Sequence, residues 1–182
     1  ISRSAWAETE VRNFAAAFSE IQYVILGAGL DTFAWRNQQQ NIRTFEVDHP
    51  YTQKSKLYRL KSLQWNTGKA VFVPVDFAKD SLKAELLKRG FDPEIPAVFT
   101  ILGVAYYLPV ETFSNTMKDI ASLNGKKIGV NRDSVQRDMF LDWAAENNIS
   151  AQIVELSALE KDAFQMLKHG EIDAYITLDA YE

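Results

Sequence analysis

Cysteine is absent from the chain, and histidine occurs only at His49 and His169. Disulfide bonds and thiolate metal sites are therefore excluded, and the two histidines lie too far apart in sequence to show ligand spacing. We expect no metal. The sequence also lacks any run approaching the roughly 20 apolar residues that span a bilayer, and its first residues lack a signal pattern. We therefore expect a cytoplasmic protein with no membrane partner.

Excess charge of one sign is missing as well. The chain has 20 basic and 24 acidic residues, for a net charge of −4, which disfavours binding to a phosphate backbone. The one basic cluster, KSKLYRLK at 54–61, spreads Lys54, Arg59 and Lys61 around a helix, a pattern typical of a solvated surface. We expect no nucleic acid and no obligate protein partner.

The sequence is rich in short apolar runs that alternate with helical patterns. Because the runs are almost continuously apolar, they indicate strands buried on both faces. They lie at 23–28, 43–48, 70–77, 97–103, 126–131, 151–156 and 173–178. Segments with 3.6-residue periodicity lie at 81–90, 109–125, 133–148 and 158–170, the first with Leu82, Leu86 and Leu87 on one face. The alternation predicts an α/β fold, a doubly wound, mostly parallel Rossmann-like sheet of about seven strands in one three-layer domain.

Glycine or aspartate lies at the carboxyl end of each of the first three predicted strands. Gly27 and Gly29 form a turn after the first strand, Asp48 ends the second, and Asp76 with Phe77 ends the third. Each aspartate alone could be a cap or turn residue. Together they indicate a nucleotide site at the carboxyl edge of the sheet, where Asp48 can accept hydrogen bonds from ribose hydroxyls and Asp76 with Phe77 can meet adenine.

The runs VILGAGLDTFAWR, TFEVDHPYTQKSK and FVPVDFAKD closely resemble the S-adenosylmethionine-dependent methyltransferases related to leucine carboxyl methyltransferase. The resemblance covers residues 1–123. It implies that the cofactor is S-adenosylmethionine and that Gly27, Gly29 and Asp31 border its methionine moiety. It further implies that Asp48, or alternatively Glu46, holds the ribose.

The same resemblance assigns roles to two further parts of this segment. It implies that Asp76 and Phe77 meet the adenine, and ISRSAWAE resembles the first helix of the family, in which Arg3 would pair with the cofactor carboxylate. The alternative for Arg3 is a frayed terminal residue. Leu102 stands where many members have glutamate before GV, so the role of that glutamate is missing here. Methyl transfer from a sulfonium depends mainly on alignment, and we assign no catalytic residue.

Residues 124–182 resemble a different family. The runs GKKIGV and LKHGEIDAYITLD are similar to the second lobe of periplasmic amino-acid-type solute-binding proteins. That resemblance places a ligand carboxylate near Ser134 and Val135 and an amino group near Asp179. With one partial lobe present, we expect Ser134 to serve only as a helix cap.

The two resemblances favour an engineered chimera, and a first residue that is Ile rather than Met suggests a fragment, a processed product or an engineered chain. In this hypothesis a βαβαβ piece, 124–182, completes the sheet of a methyltransferase part, 1–123, in the strand order 3-2-1-4-7-5-6. The predicted function is binding of S-adenosylmethionine without turnover. The alternative is a chimeric fold with no ligand and no activity, and solute binding by the last 59 residues is a third hypothesis.

Overall fold

The computed structural model describes residues 3–102, 104, 107–124, 127–131, 142, 145, 152–156, 166 and 174–176. The chain divides into two compact units, Ile1–Asp119 and Ile120–Glu182. Among the helices of the described residues, none combines the length and the apolar character that a membrane span requires.

The first unit contains a parallel sheet of four strands. These are β1 (Ile21–Leu26), β2 (Ile42–Asp48), β3 (Val71–Pro74) and β4 (Ala97–Ile101). Their order is β3-β2-β1-β4, which confirms the prediction for the first four strands. All six residues of β1 are buried, as its continuous apolar run predicts for a central strand. Because the strands are parallel, their carboxyl ends meet at one edge, and the strand order reverses between β1 and β4.

Five helices are described along residues 3–124. They are α1 (Arg3–Ala15), α2 (Phe33–Arg36), α3 (Pro50–Ser62), α4 (Leu82–Lys88) and α5 (Val110–Asn124), with one 3-10 turn at Thr67–Lys69. Helix α3 begins with proline at its first position, and the His49 side chain caps it by accepting a hydrogen bond from the Tyr51 backbone N–H at 3.3 Å. The Ser81 side chain caps α4 in the same way, through the N–H of Ala84.

The helical segment predicted at 81–90 is present as α4, but the apolar face predicted for it is only partly buried. Leu82 and Leu86 are buried, whereas Leu87 is 41% exposed. The prediction for Leu87 was wrong because a residue lies about 100° around the helix axis from its neighbour, which turns Leu87 away from the face that Leu82 and Leu86 share.

A buried glutamine fixes the start of β4 against β1. The Gln22 side chain is fully buried, and its amide donates to the Asp92 carbonyl at 2.7 Å while its oxygen accepts from the Asp92 N–H at 2.9 Å. Both polar ends are thus satisfied, so the burial of an amide beside the first residues of β4 costs little.

The second unit contains three parallel strands. They are β5 (Lys127–Asn131), β6 (Gln152–Leu156) and β7 (Ala174–Ile176), in the order β6-β5-β7. This order agrees with the predicted 7-5-6 neighbours. The described strands pair as two sheets, and a single sheet of seven strands is not confirmed. The predicted helices at 133–148 and 158–170 are described only at positions 142, 145 and 166, which are helical, and Ser134, Val135 and Asp179 lie outside the described residues.

Candidate nucleoside site at the carboxyl edge of the sheet

The turn after β1 folds back onto the end of β2. We call residues 27–31 the glycine turn. The backbone N–H groups of Gly27 and Ala28 both donate to the Val47 carbonyl, at 2.8 and 3.1 Å, and the Asp31 N–H donates to the Ala28 carbonyl at 2.8 Å. Gly27 and Gly29 have φ values of +70° and +50°, a left-handed region that favours glycine. The sequence motif therefore corresponds to a turn that needs its glycines.

Asp48 connects the glycine turn to β2. Its Oδ2 accepts a hydrogen bond from the Gly29 N–H at 2.5 Å, and its Oδ1 accepts one from the His49 N–H at 2.7 Å. An ionised carboxylate offers about four acceptor positions, so about two remain for further donors. Asp48 is partly exposed at the sheet edge, where such donors can reach it.

A cavity of about 260 Å³ opens at the carboxyl ends of β1 and β4. Its lining includes Gly27 and Asp31 of the glycine turn, Leu102 just after β4, and Ser4 and Glu8 of α1. The aliphatic Leu102 gives this wall an apolar character where the related proteins were expected to carry a carboxylate. The cavity lies beside the point where the strand order reverses, the usual ligand position in such sheets.

Tyr23 forms part of the wall of this cavity. Its hydroxyl lies 3.0 Å from Thr100 Oγ1, and its ring meets the Phe33 ring edge-on at a centroid distance of 4.9 Å. Burial raises the pKa of Tyr23 to about 12. Tyr23 therefore supplies a neutral surface at ordinary pH.

Asp31 has two separate structural roles in the glycine turn. Its Oδ1 accepts from the Phe33 N–H at 2.6 Å, at the start of α2, and its backbone carbonyl accepts from Lys56 Nζ at 2.6 Å. The residue also borders the cavity. Asp31 is thus held from both its side chain and its backbone.

A buried ion pair lies beneath the glycine turn. Lys56 Nζ is 2.6 Å from Glu46 Oε2, and their side chains are 5% and 1% exposed. Burial raises the pKa of Glu46 to about 7, against the opposing effect of Lys56. Because Glu46 is enclosed and already bonded to Lys56, the geometry favours Asp48 over Glu46 as a partner for ribose hydroxyls.

The end of β3 is arranged differently. Asp76 Oδ1 accepts from the Ala78 N–H at 3.1 Å, and its Oδ2 accepts from Lys79 Nζ at 2.8 Å, a bond that lowers the pKa of Asp76 below its usual value. His49 Nε2 lies 3.8 Å from the same oxygen, which links the ends of β2 and β3. Phe77 is half-buried beside Asp76. The structure thus brings Gly27, Gly29, Asp31 and Asp48 together and places Asp76 and Phe77 next along the edge.

Arg3 is the first residue of α1, but its side chain lies outside the described residues. Its predicted pairing with the cofactor carboxylate therefore stays a prediction. The same helix contributes Ser4 and Glu8 to the cavity, so α1 does border the site.

Comparison with known proteins identifies the family. Residues 1–121 match the model of the leucine carboxyl methyltransferase family. The chain belongs to that family. A second family, described as NMT1/THI5 like, matches residues 62–182 and overlaps the first match.

Relatives of this leucine carboxyl methyltransferase family member come from several bacteria. A candidate S-adenosyl-L-methionine-dependent methyltransferase of Bacillus subtilis, YktD, is 37% identical over 176 residues, covering 95% of this chain and 57% of that protein. Proteins named in the same way from Saccharopolyspora erythraea and Mycobacteroides abscessus are 30% identical, over 80% and 77% of this chain and over 52% and 46% of their own lengths. The chain thus spans about half the length of these curated relatives. The match to YktD continues beyond residue 123, where we expected the resemblance to end, and a chimeric origin is not confirmed.

Glu8 of this family member lines the cavity, and the sequence reasoning missed it. It accepts hydrogen bonds from Arg12 at 3.0 Å and from both terminal nitrogens of Arg36, at 2.8 and 2.5 Å. The Glu8 side chain is 10% exposed, and the Arg36 hydrogen bond is the main reason that its pKa is lowered. The four-residue spacing of Glu8 and Arg12 was the available signal, but the contact that joins α1 to α2 is made by Arg36, 28 residues away.

Replacing Glu8 should lower the stability of the fold by an amount that depends on pH. We expect Glu8→Gln to lower the free energy of unfolding by about 1–3 kcal/mol near neutral pH, because two guanidinium groups lose a charged partner. Since the folded-state pKa is lowered, the ionised group stabilises the fold above its unfolded pKa and loses that effect as the pH falls. The difference from the unmodified chain should therefore shrink below about pH 4. Urea unfolding at several pH values tests this, with the exposed Glu20→Gln as control. A pH-independent difference would contradict the ionic explanation.

Proposed function

We propose that this chain binds S-adenosylmethionine at the carboxyl edge of the four-stranded sheet. The observation that carries the proposal is the bond between the Gly29 N–H and Asp48 Oδ2, which joins the glycine turn to the acidic end of β2. Family membership and relatives named as S-adenosyl-L-methionine-dependent methyltransferases support the same ligand.

In the proposed complex the ribose meets Asp48. The carboxylate oxygens already accept from Gly29 and His49, and their remaining acceptor positions suit two vicinal hydroxyls. The methionine part would extend into the cavity beside Gly27 and Asp31. Arg3 would hold its carboxylate, and Asp76 with Phe77 would lie on the adenine side. In this assignment the adenine, the ribose and the methionine part lie at the ends of β3, β2 and β1, which are neighbouring strands in that order.

We propose further that these 182 residues bind the cofactor without turnover. A methyl transferase gains its rate mainly from the alignment of nucleophile, methyl carbon and sulfur. Near the cavity, Leu102 presents an aliphatic side chain where a carboxylate could orient an acceptor, and the buried Tyr23 is neutral. Incubation with the methyl-labelled cofactor and chromatography of the products test this part.

Calorimetric titration with S-adenosylhomocysteine tests the binding proposal. We expect saturable binding that Asp48→Ala weakens about 10- to 100-fold, because hydrogen bonds to a charged acceptor are lost. The control is Glu94→Ala, an exposed carboxylate ahead of β4, at the opposite edge of the sheet. Equal affinity in Asp48→Ala would remove Asp48 from the site. No heat from a chain shown to be folded by circular dichroism would favour the alternative of a fold without ligand.

A further inference from the structure

Lys56 joins three segments beneath the proposed cofactor site. Its Nζ donates to Glu46 Oε2 in β2 and to the Asp31 carbonyl in the glycine turn, both at 2.6 Å. The same ammonium lies 5.3 Å from the centroid of the Trp35 ring in α2. An ammonium has three N–H donors, and two of them are used by these oxygens. A single buried cation therefore connects strand, turn and helix.

The bond to Asp31 fixes the far end of the glycine turn. The near end is held by the N–H groups of Gly27 and Ala28 on Val47, and the middle by Gly29 on Asp48. Lys56 holds the position from which the chain enters α2. A displacement of the Asp31 carbonyl would move Asp31, which lines the cavity.

We propose that Lys56 and Glu46 are a positioning pair, which holds the glycine turn in the conformation that accepts the nucleoside cofactor. The inference rests on the function proposed above and adds a means by which the binding is regulated. Neither side chain lines the cavity. Both act through Asp31, so they are positioning residues and not catalytic ones.

The pair depends on the charge of Glu46. Among the described residues, Glu46 Oε1 is buried without a hydrogen-bond partner, so Lys56 is the group that compensates the carboxylate. The other charged groups that act on Glu46 are Asp31 in the turn and Asp48 at the end of β2, both of which oppose its ionisation. Burial raises the pKa of Glu46 to about 7. Protonation would leave the Lys56 ammonium without a counter-ion in a buried site, which is costly, and would weaken its hold on Asp31.

Calorimetric titration of S-adenosylhomocysteine as a function of pH tests the inference. If binding needs ionised Glu46, affinity should fall about tenfold between about pH 8 and about pH 6, in proportion to the ionised fraction. Glu46→Gln should bind about tenfold more weakly than the unmodified chain at the higher pH and show a flat profile. Lys54→Met, an exposed residue two positions before Lys56, should keep both the affinity and the slope.

His49 is a second ionisable group near this site, and its backbone N–H donates to Asp48 Oδ1. The variant His49→Asn retains a capping side chain for α3 and removes the imidazole. The pH dependence should persist in His49→Asn if Glu46 causes it. Its disappearance there, or its persistence in Glu46→Gln, would overturn the inference.

Failure of the inference is distinguishable from failure of the proposed function. Binding with a flat pH profile would overturn the positioning pair and leave the cofactor site intact. No binding at any pH would overturn both. The Trp35 indole N–H, which donates to the Asn66 carbonyl at 2.9 Å, gives an additional signal in the free chain. Its NMR resonance, assigned with Trp35→Phe, should shift with a midpoint near pH 7 and lose that shift in Glu46→Gln.

Discussion

Gly27→Ala is expected to lower the free energy of unfolding by about 3–5 kcal/mol. A Cβ at this position would lie 2.9 Å from Val104 Cβ and closer still to Val104 Cγ2, and the φ of +70° is unfavourable for alanine. The backbone has little freedom to move away, because the Gly27 N–H is bonded to the Val47 carbonyl. Urea unfolding followed by tryptophan fluorescence measures the loss.

Gly29→Ala is the matched control in the same turn. Its φ of +50° is also left-handed, but the nearest atom to an added Cβ is the Gly27 carbonyl oxygen at 3.9 Å, an ordinary contact. We expect only the backbone cost of about 1–2 kcal/mol. Val104→Ala added to Gly27→Ala should recover part of the larger loss by removing the nearest methyl group. Equal losses in the two glycine variants would show that Val104 does not set the cost.

The strands were predictable because burial on both faces leaves a simple pattern. The run at 23–28 is apolar throughout, the run at 43–48 alternates Phe45 and Val47 with polar residues, and the two runs correspond to β1 and β2 within two residues. The parallel order of β1 to β4 follows from the helices between them and from the resemblance. Gly29 and Asp48 were also predictable as a pair, since strand ends of a parallel sheet share one edge.

The buried lysine was not predictable in the same way. The cluster at 54–61 was interpreted as a solvated surface, and Lys54, Arg59 and Lys61 are indeed exposed. Lys56 differs because Gln53, Lys56 and Leu60 form the buried face of α3. The burial of a charged residue depends on a partner that only the tertiary structure supplies, here Glu46 of a neighbouring strand. Its spacing of four residues before Leu60 was the available signal.

Lys56→Met is expected to lower the free energy of unfolding by about 3–5 kcal/mol, because it leaves Glu46 without a counter-ion in a buried site. The Asp31 carbonyl loses its donor as well. The control is Lys54→Met, which removes the same charge from the exposed face of α3 and should change stability by less than about 0.5 kcal/mol. Chemical unfolding at neutral pH gives both values.

The pH dependence of this loss distinguishes charge from packing. In the unmodified chain the folded-state pKa of Glu46 is raised to about 7, so Glu46 reduces stability as the pH rises from its unfolded pKa towards that value. Without Lys56 the folded-state pKa rises further, and the reduction continues to higher pH by about 1.4 kcal/mol per unit. The penalty of Lys56→Met should thus be smaller near pH 5 than near pH 8.

A double variant completes the cycle. Lys56→Met combined with Glu46→Leu replaces the pair by apolar side chains and should return much of the stability that Lys56→Met loses, since buried pairs exchanged as a unit are often neutral. The same double variant should still bind S-adenosylhomocysteine weakly, because the Asp31 carbonyl keeps no donor from α3. Recovery of stability without recovery of affinity would separate the contribution of the pair to the fold from its positioning of the glycine turn. Recovery of both would mean that filling the site is sufficient to hold the turn, and that the ammonium is not required.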